Sequence, residues 1–124
     1  MISMKEVIME ELSQVCDNVT DSYPKDDATY PLLLCLENDN HVKVTFDGKE
    51  SISYLKYKID ILDLKDTTEL TFKVNKIMAK LGFKRIKCKD ILETDRKRKS
   101  IYYDALLDIE NNYIYENQEN GEEK

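Results

Sequence analysis

The sequence predicts an α+β domain, a mainly antiparallel sheet packed against an N-terminal helix and a central helix. Three observations carry that prediction. Residues 52–62 alternate, with Leu55, Tyr57, Ile59 and Ile61 on one side and Tyr54, Lys56, Lys58 and Asp60 on the other, which is the two-residue period of a strand. Further on, Leu70, Val74, Ile77, Met78 and Leu81 recur at helical spacing. Between two alternating runs sits Asp47-Gly48, a dipeptide suited to a tight hairpin turn. At 124 residues the chain has the size of one domain. We expect that domain over residues 1–110 and an acidic, flexible tail over 111–124.

In chain order, Ser3-Met4-Lys5-Glu6 has the form of a capping box, in which Ser3 and Glu6 satisfy free backbone N–H groups. Met4, Val7, Ile8, Leu12 and Val15 follow on one helical stripe, and the pattern ends near Asp17-Asn18. Residues 20–31 form a connector with both prolines, Pro24 and Pro31, which bias Tyr23 and Tyr30 towards extended geometry. Leu32 to Leu36 is apolar on both faces, as in a central strand covered on two sides. Glu37-Asn38-Asp39-Asn40 is expected to break it before Val42, Val44 and Phe46 alternate into the hairpin turn.

After the long strand, Asp66-Thr67-Thr68-Glu69 is a second capping-box pattern, and Gly82 falls where a left-handed cap would end the central helix. Phe83 to Cys88 reads as a short strand with Ile86 and Cys88 on one face, and residues 89–99 read as a polar loop. Lys99 to Ile109 reads as the final strand, with Ile101, Tyr103, Ala105, Leu107 and Ile109 inward. Beyond it, residues 110–124 carry five acids against one lysine, with too little apolar surface to offset the entropy of ordering. Disorder is expected from about residue 116. No internal repeat is visible.

Composition excludes much chemistry. The net charge of −6 disfavours general binding to duplex DNA, and no specific nucleic acid partner is expected. A single histidine, His41, rules out a multi-histidine metal site, and three scattered glycines cannot build a phosphate loop. The longest apolar stretch, Leu32 to Leu36, is too short to cross a membrane, and the N-terminus lacks the pattern of a secretory signal. Cys16, Cys35 and Cys88 are odd in number and widely spaced, which suits reduced, buried thiols. No metal and no cofactor is expected.

Four groups of residues merit weighing as sites. Asp60, Asp63 and Lys65 have the acid-x-lysine form of a Mg²⁺-dependent nuclease, in which carboxylates hold the ion and lysine positions water. The plainer reading is a soluble strand end leading into a helix cap. A Cys/His pair would need His41 in a polar turn to meet Cys16, Cys35 or Cys88, and Cys35 lies in an apolar run where a thiol is inert. Residues 84–99 carry a balance of +5, centred on Arg96, Lys97, Arg98 and Lys99, while residues 1–30 carry −5. Such opposed patches can mate head to tail in a ring, whereas the plainer reading is a solvated loop. Nucleic acid is a third reading of the basic stretch, set back by the lack of aromatic residues within it. Tyr54 on the polar side of its strand and Tyr102, opposed in direction to Tyr103, are candidate interface anchors, although tyrosine also suits a half-buried sheet face.

The order of elements resembles the tail-terminator, or tail-completion, proteins of long-tailed bacteriophages and phage-tail-like bacteriocins. The residues that carry the resemblance are Tyr30-Pro31 before an apolar strand, the long alternating strand from Tyr54 to Leu62, Lys80-Leu81-Gly82-Phe83 at the end of the helix, and the Tyr-rich strand from Ile101 to Ile109. It covers about residues 3–110 and is one of pattern and length. It implies a non-enzymatic α+β subunit, six copies of which form a ring on the last ring of tail-tube subunits. That ring stops tube polymerisation and offers a surface to the head or collar. Implied partners are copies of the chain, the tail tube protein and possible sheath and head–tail connector components. The implied location is the virion or tail-like particle, assembled in the bacterial host cytoplasm. Ring contacts are expected on the sheet edges and on residues 89–99, with Arg96, Lys97, Arg98, Lys99, Tyr102 and Tyr54 as the contact residues. A head–tail connector or neck component is the structural alternative, and the nuclease is the enzymatic one.

Overall fold

The computed structural model describes residues 4–22 and 29–108, together with the backbone of 113–115. It is an α+β fold in the order α1 (Met4–Leu12), β1 (Val19–Thr20), β2 (Leu32–Phe46), β3 (Lys49–Asp63), α2 (Thr68–Lys80), β4 (Lys84–Ile91), β5 (Lys97–Asp108) and β6 (Tyr113–Tyr115). The strands form one sheet in the order β1-β2-β3-β5-β4, with β6 also pairing with β5. Among the described strands only β1 and β2 pair in parallel. Chain connectivity from β3 through α2 to β4 is a split β-α-β unit, because β5 inserts between the two strands and runs antiparallel to both.

The β2–β3 hairpin forms because Asp47 and Gly48 both take positive φ, +54° and +74°, as a tight two-residue turn between twisted strands requires. Helix α2 starts where Asp66 Oδ1 accepts hydrogen bonds from the Thr68 N–H (3.2 Å) and hydroxyl (2.9 Å), while Thr67 makes no side-chain cap bond. The helix ends as the sequence predicts. Gly82 adopts φ +97°, its N–H donates to the Ala79 carbonyl, and the Phe83 N–H reaches back to Met78 at 2.9 Å. Those two bonds satisfy carbonyls that a helix end would otherwise leave open.

Both helices cover one face of the sheet. Ile8 and Leu12 of α1 and Leu70, Val74, Ile77 and Met78 of α2 pack on Leu33, Cys35, Leu55, Tyr57, Ile59, Ile61, Ile101, Tyr103, Ala105 and Leu107. The inward residues named for β3 and β5 are therefore buried, apart from Ile109, which lies outside the described residues. The opposite face holds a smaller cluster of Leu32, Leu34 and Leu62 with Tyr30 and Leu36. Tyr30 precedes a cis peptide bond to Pro31; Ser3, Tyr23 and Pro24 lie outside the described residues, as does the chain from 116 onwards.

Several expectations are corrected. The helix stops at Leu12, earlier than Asp17, because Gln14 and Val15 turn back onto Glu11 and Leu12 with tighter three-residue bonds. Glu37-Asn38-Asp39-Asn40 does not break the strand: β2 runs through it and absorbs the polar residues in a register shift between Glu37 and Asp39. His41 thus stands in a strand, paired with Tyr54, rather than in a turn. The start of β2 does stand as expected: Leu33 and Cys35 are buried in the main core, Leu32 and Leu34 in the smaller cluster on the other face, and β1 and β3 flank Leu33 and Leu34. Ile86 does not share a face with Cys88, since a register shift between Arg85 and Lys87 turns it out to 45 % exposure. The polar loop shrinks from 89–99 to 92–96, and β5 is not the last strand, because β6 follows it. An edge strand wetted on both faces can carry charge at every position, which hides its period.

Candidate functional site at the β4–β5 turn

The β4–β5 connection is held by ionic contacts. Glu93 accepts from Arg96 Nε at 2.6 Å and from Arg98 Nη1 at 2.8 Å. Arg96 Nη1 donates to the Tyr30 hydroxyl at 2.8 Å. Arg98 also donates Nε to Asp60 Oδ2 at 3.0 Å, across the register that pairs β5 with β3. Asp60 is fully buried, with Lys58 Nζ a further 3.6 Å away. Burial works against the charge on Arg98, but its hydrogen bonds to Glu93 and Asp60 outweigh that and hold its pKa above the usual value. Hydrogen bonds from Arg96 and then Arg98 hold Glu93 below its usual 4.5. Leu92, the first residue after β4 and the neighbour of Glu93, is 99 % exposed.

An open cavity of about 500 Å³ lies between this turn and the start of α2, lined by Lys65, Asp66, Thr67 and Thr68 on one side and by Asp90 to Glu93 and Arg96 to Lys99 on the other. Its acids are occupied. Glu93 holds two arginines, Asp66 holds Thr68, and Asp90 pairs with Lys99 at 3.2 Å. Hydrogen bonds from Thr68 hold the Asp66 pKa down, so Asp66 and Glu93 are both weak bases. This arrangement suits fixing a turn in place rather than moving a proton.

Of the residues singled out from sequence, Arg96, Lys97, Arg98 and Lys99 do come together here, but the two arginines are committed to internal partners. Parts of the acidic N-terminal stretch are committed too, in the pairs Lys5–Asp21 (3.0 Å) and Lys80–Glu11 (3.2 Å). Lys97 is exposed. Tyr102 and Tyr54 lie further along the same sheet, on the face away from the helices. Tyr102 has the amines of Lys87 and Lys56 at 5.0 and 5.7 Å from its ring centre, and Tyr54 donates to Asp104 at 3.0 Å.

The nuclease trio does not assemble. Asp60 and Asp63 are three residues apart on β3 and so face opposite sides of the sheet. Asp60 is neutralised by Arg98, while Asp63 caps the following turn through the N–H groups of Leu64 and Lys65. Among the described residues no group of three or more His, Cys, Asp or Glu could hold a metal ion. His41 contacts Asp39 and Tyr54, and burial pushes the Cys35 thiol up to about 12.

Glu93, Tyr30 and Leu92 were missed by the sequence reading. Leu92 had a signal, as an apolar residue alone in a polar turn. The pairing of Tyr30 with Arg96 had none, nor did that of Asp60 with Arg98, because the partners stand 66 and 38 residues apart and only the fold brings them together. Compared with known proteins, the chain matches no family model and no curated protein.

Proposed function

We propose that the chain is a structural subunit of the tail-terminator kind, which assembles as a ring on the end of a tail tube, stops its growth and presents a surface to the head or collar. On this reading it works by docking and catalyses nothing, in a virion or tail-like particle built in the bacterial cytoplasm. The observation that carries the proposal is the β4–β5 turn. A turn clamped by two arginines and two carboxylates holds an entirely exposed leucine where it leaves β4, next to the clamp residue Glu93. Preorganising an apolar side chain lowers the entropy cost of association. Sheet edges support the reading less, since β2 and β4 carry register shifts and exposed lysines of the kind that discourage edge-to-edge pairing. The proposed contacts therefore centre on Leu92 with Lys97 beside it.

Native mass spectrometry of the protein, alone and with tail-tube subunits, tests this. The expected result is a ring, six-fold by the resemblance, whose addition limits tube length. Leu92→Asp should dissociate the ring and leave the circular dichroism spectrum unchanged. A monomer in both mixtures, with tubes growing unchecked, would overturn the proposal.

A further inference from the structure

The sheet face turned away from the helices carries a second feature, separate from the β4–β5 turn. Cross-strand register sets Lys58 of β3 and Lys87 of β4 on either side of Tyr102, with Lys56, Lys84 and Lys89 adjoining. Lys87 and Lys89 are exposed and Tyr102 is half-buried. Two of the amines stand within 5.0 and 5.7 Å of the Tyr102 ring centre. Three carboxylates share this face: Asp104, buried and accepting from a tyrosine hydroxyl; Asp60, fully buried and 3.6 Å from Lys58 Nζ; and Asp39, opposite Lys56 in register and 3.2 Å from His41. No described helix packs here, since both helices belong to the core on the opposite face. The result is a cationic strip with an aromatic ring at its centre, in a chain whose net charge is −6.

We infer that this strip binds single-stranded nucleic acid without sequence preference. Two physical arguments select that occupant. Lysines meet phosphates while an aromatic side chain stacks a base, and every base has a face to stack. The three strands β3, β5 and β4 span only about 10 Å from first to last, which accommodates one phosphate backbone and not the two of a duplex. The acidic remainder of the surface repels a duplex that overhangs the strip.

Fluorescence anisotropy with a labelled 20-nucleotide oligothymidylate, on the full chain at 50 mM salt, tests the inference. Binding is expected, weakening by roughly 20- to 130-fold at 200 mM salt if three to five phosphates are neutralised. Tyr102→Ala should weaken it by about 5- to 160-fold, and Tyr102→Phe should retain it. The pair Lys87→Glu and Lys89→Glu, both on exposed edge positions, should abolish it without disturbing the fold. A matched duplex should bind less tightly. Absence of binding at 50 mM salt overturns the inference, as does equal binding by Tyr102→Ala or by the duplex. Displacement of the oligonucleotide by polyglutamate at equal charge would overturn it in favour of an acidic polypeptide. Ring formation is read separately by native mass spectrometry, so the two proposals fail independently.

Discussion

Removing Arg98 should cost this protein more than removing any surface charge. Arg98→Met leaves Asp60 as a fully buried carboxylate with Lys58 Nζ at 3.6 Å as its remaining cation. Breaking a buried ion pair from one side costs roughly 3–5 kcal/mol. Arg98 serves two carboxylates, but Glu93 keeps Arg96, so we expect about 4 kcal/mol, or roughly 15 °C in Tm. Asp60→Asn keeps the shape and an acceptor while Arg98 keeps Glu93, so its cost should be smaller, about 2 kcal/mol. Once Asp60 is neutral, Arg98→Met loses less, and a double-mutant cycle should return a coupling of about 2–3 kcal/mol. Urea unfolding followed by circular dichroism measures all four states. Additive costs within about 0.5 kcal/mol would refute the reasoning.

Glu93 has its folded pKa below its usual value of 4.5. Its contribution is thus complete above that value and is lost as pH falls through the folded pKa, and Glu93→Gln should flatten the stability profile below about pH 4.5. Gly82 sits at φ +97° inside the cap of α2, so Gly82→Ala should destabilise by about 1 kcal/mol in the same unfolding assay. Cys35 is fully buried, with its thiol pKa raised to about 12, whereas Cys88 is partly accessible. A thiol reagent at pH 8 should label Cys88 in the native protein and reach Cys35 only on unfolding, as peptide mapping would show.

How much of this was legible in the sequence follows from what each signal measures. Burial on one face produced the period of 52–62 and 70–81, and those elements, with the Asp47-Gly48 turn and the Gly82 cap, stand where the pattern puts them. Signals failed where that period is masked. Strand β4 reads as half loop because it is an edge bearing Lys84, Arg85, Lys87 and Lys89. Strand β2 reads as broken because a bulge carries its polar residues. The basic cluster at 96–99 was visible, but its meaning was not. Free cations and cations spent on Asp60 and Glu93 look alike until β3 and β5 are set in register.

Strand order has a further bearing on biosynthesis. The strand that completes the sheet, β5, is encoded near the end of the described chain, yet it joins β3 to β4 and supplies Ile101, Tyr103, Ala105 and Leu107 to the core. On the ribosome, the β2–β3 hairpin and α2 emerge with their apolar surfaces facing an empty slot. Closure waits until residue 108 clears the exit tunnel, so nascent chains stalled before residue 97 are the ones a chaperone would hold.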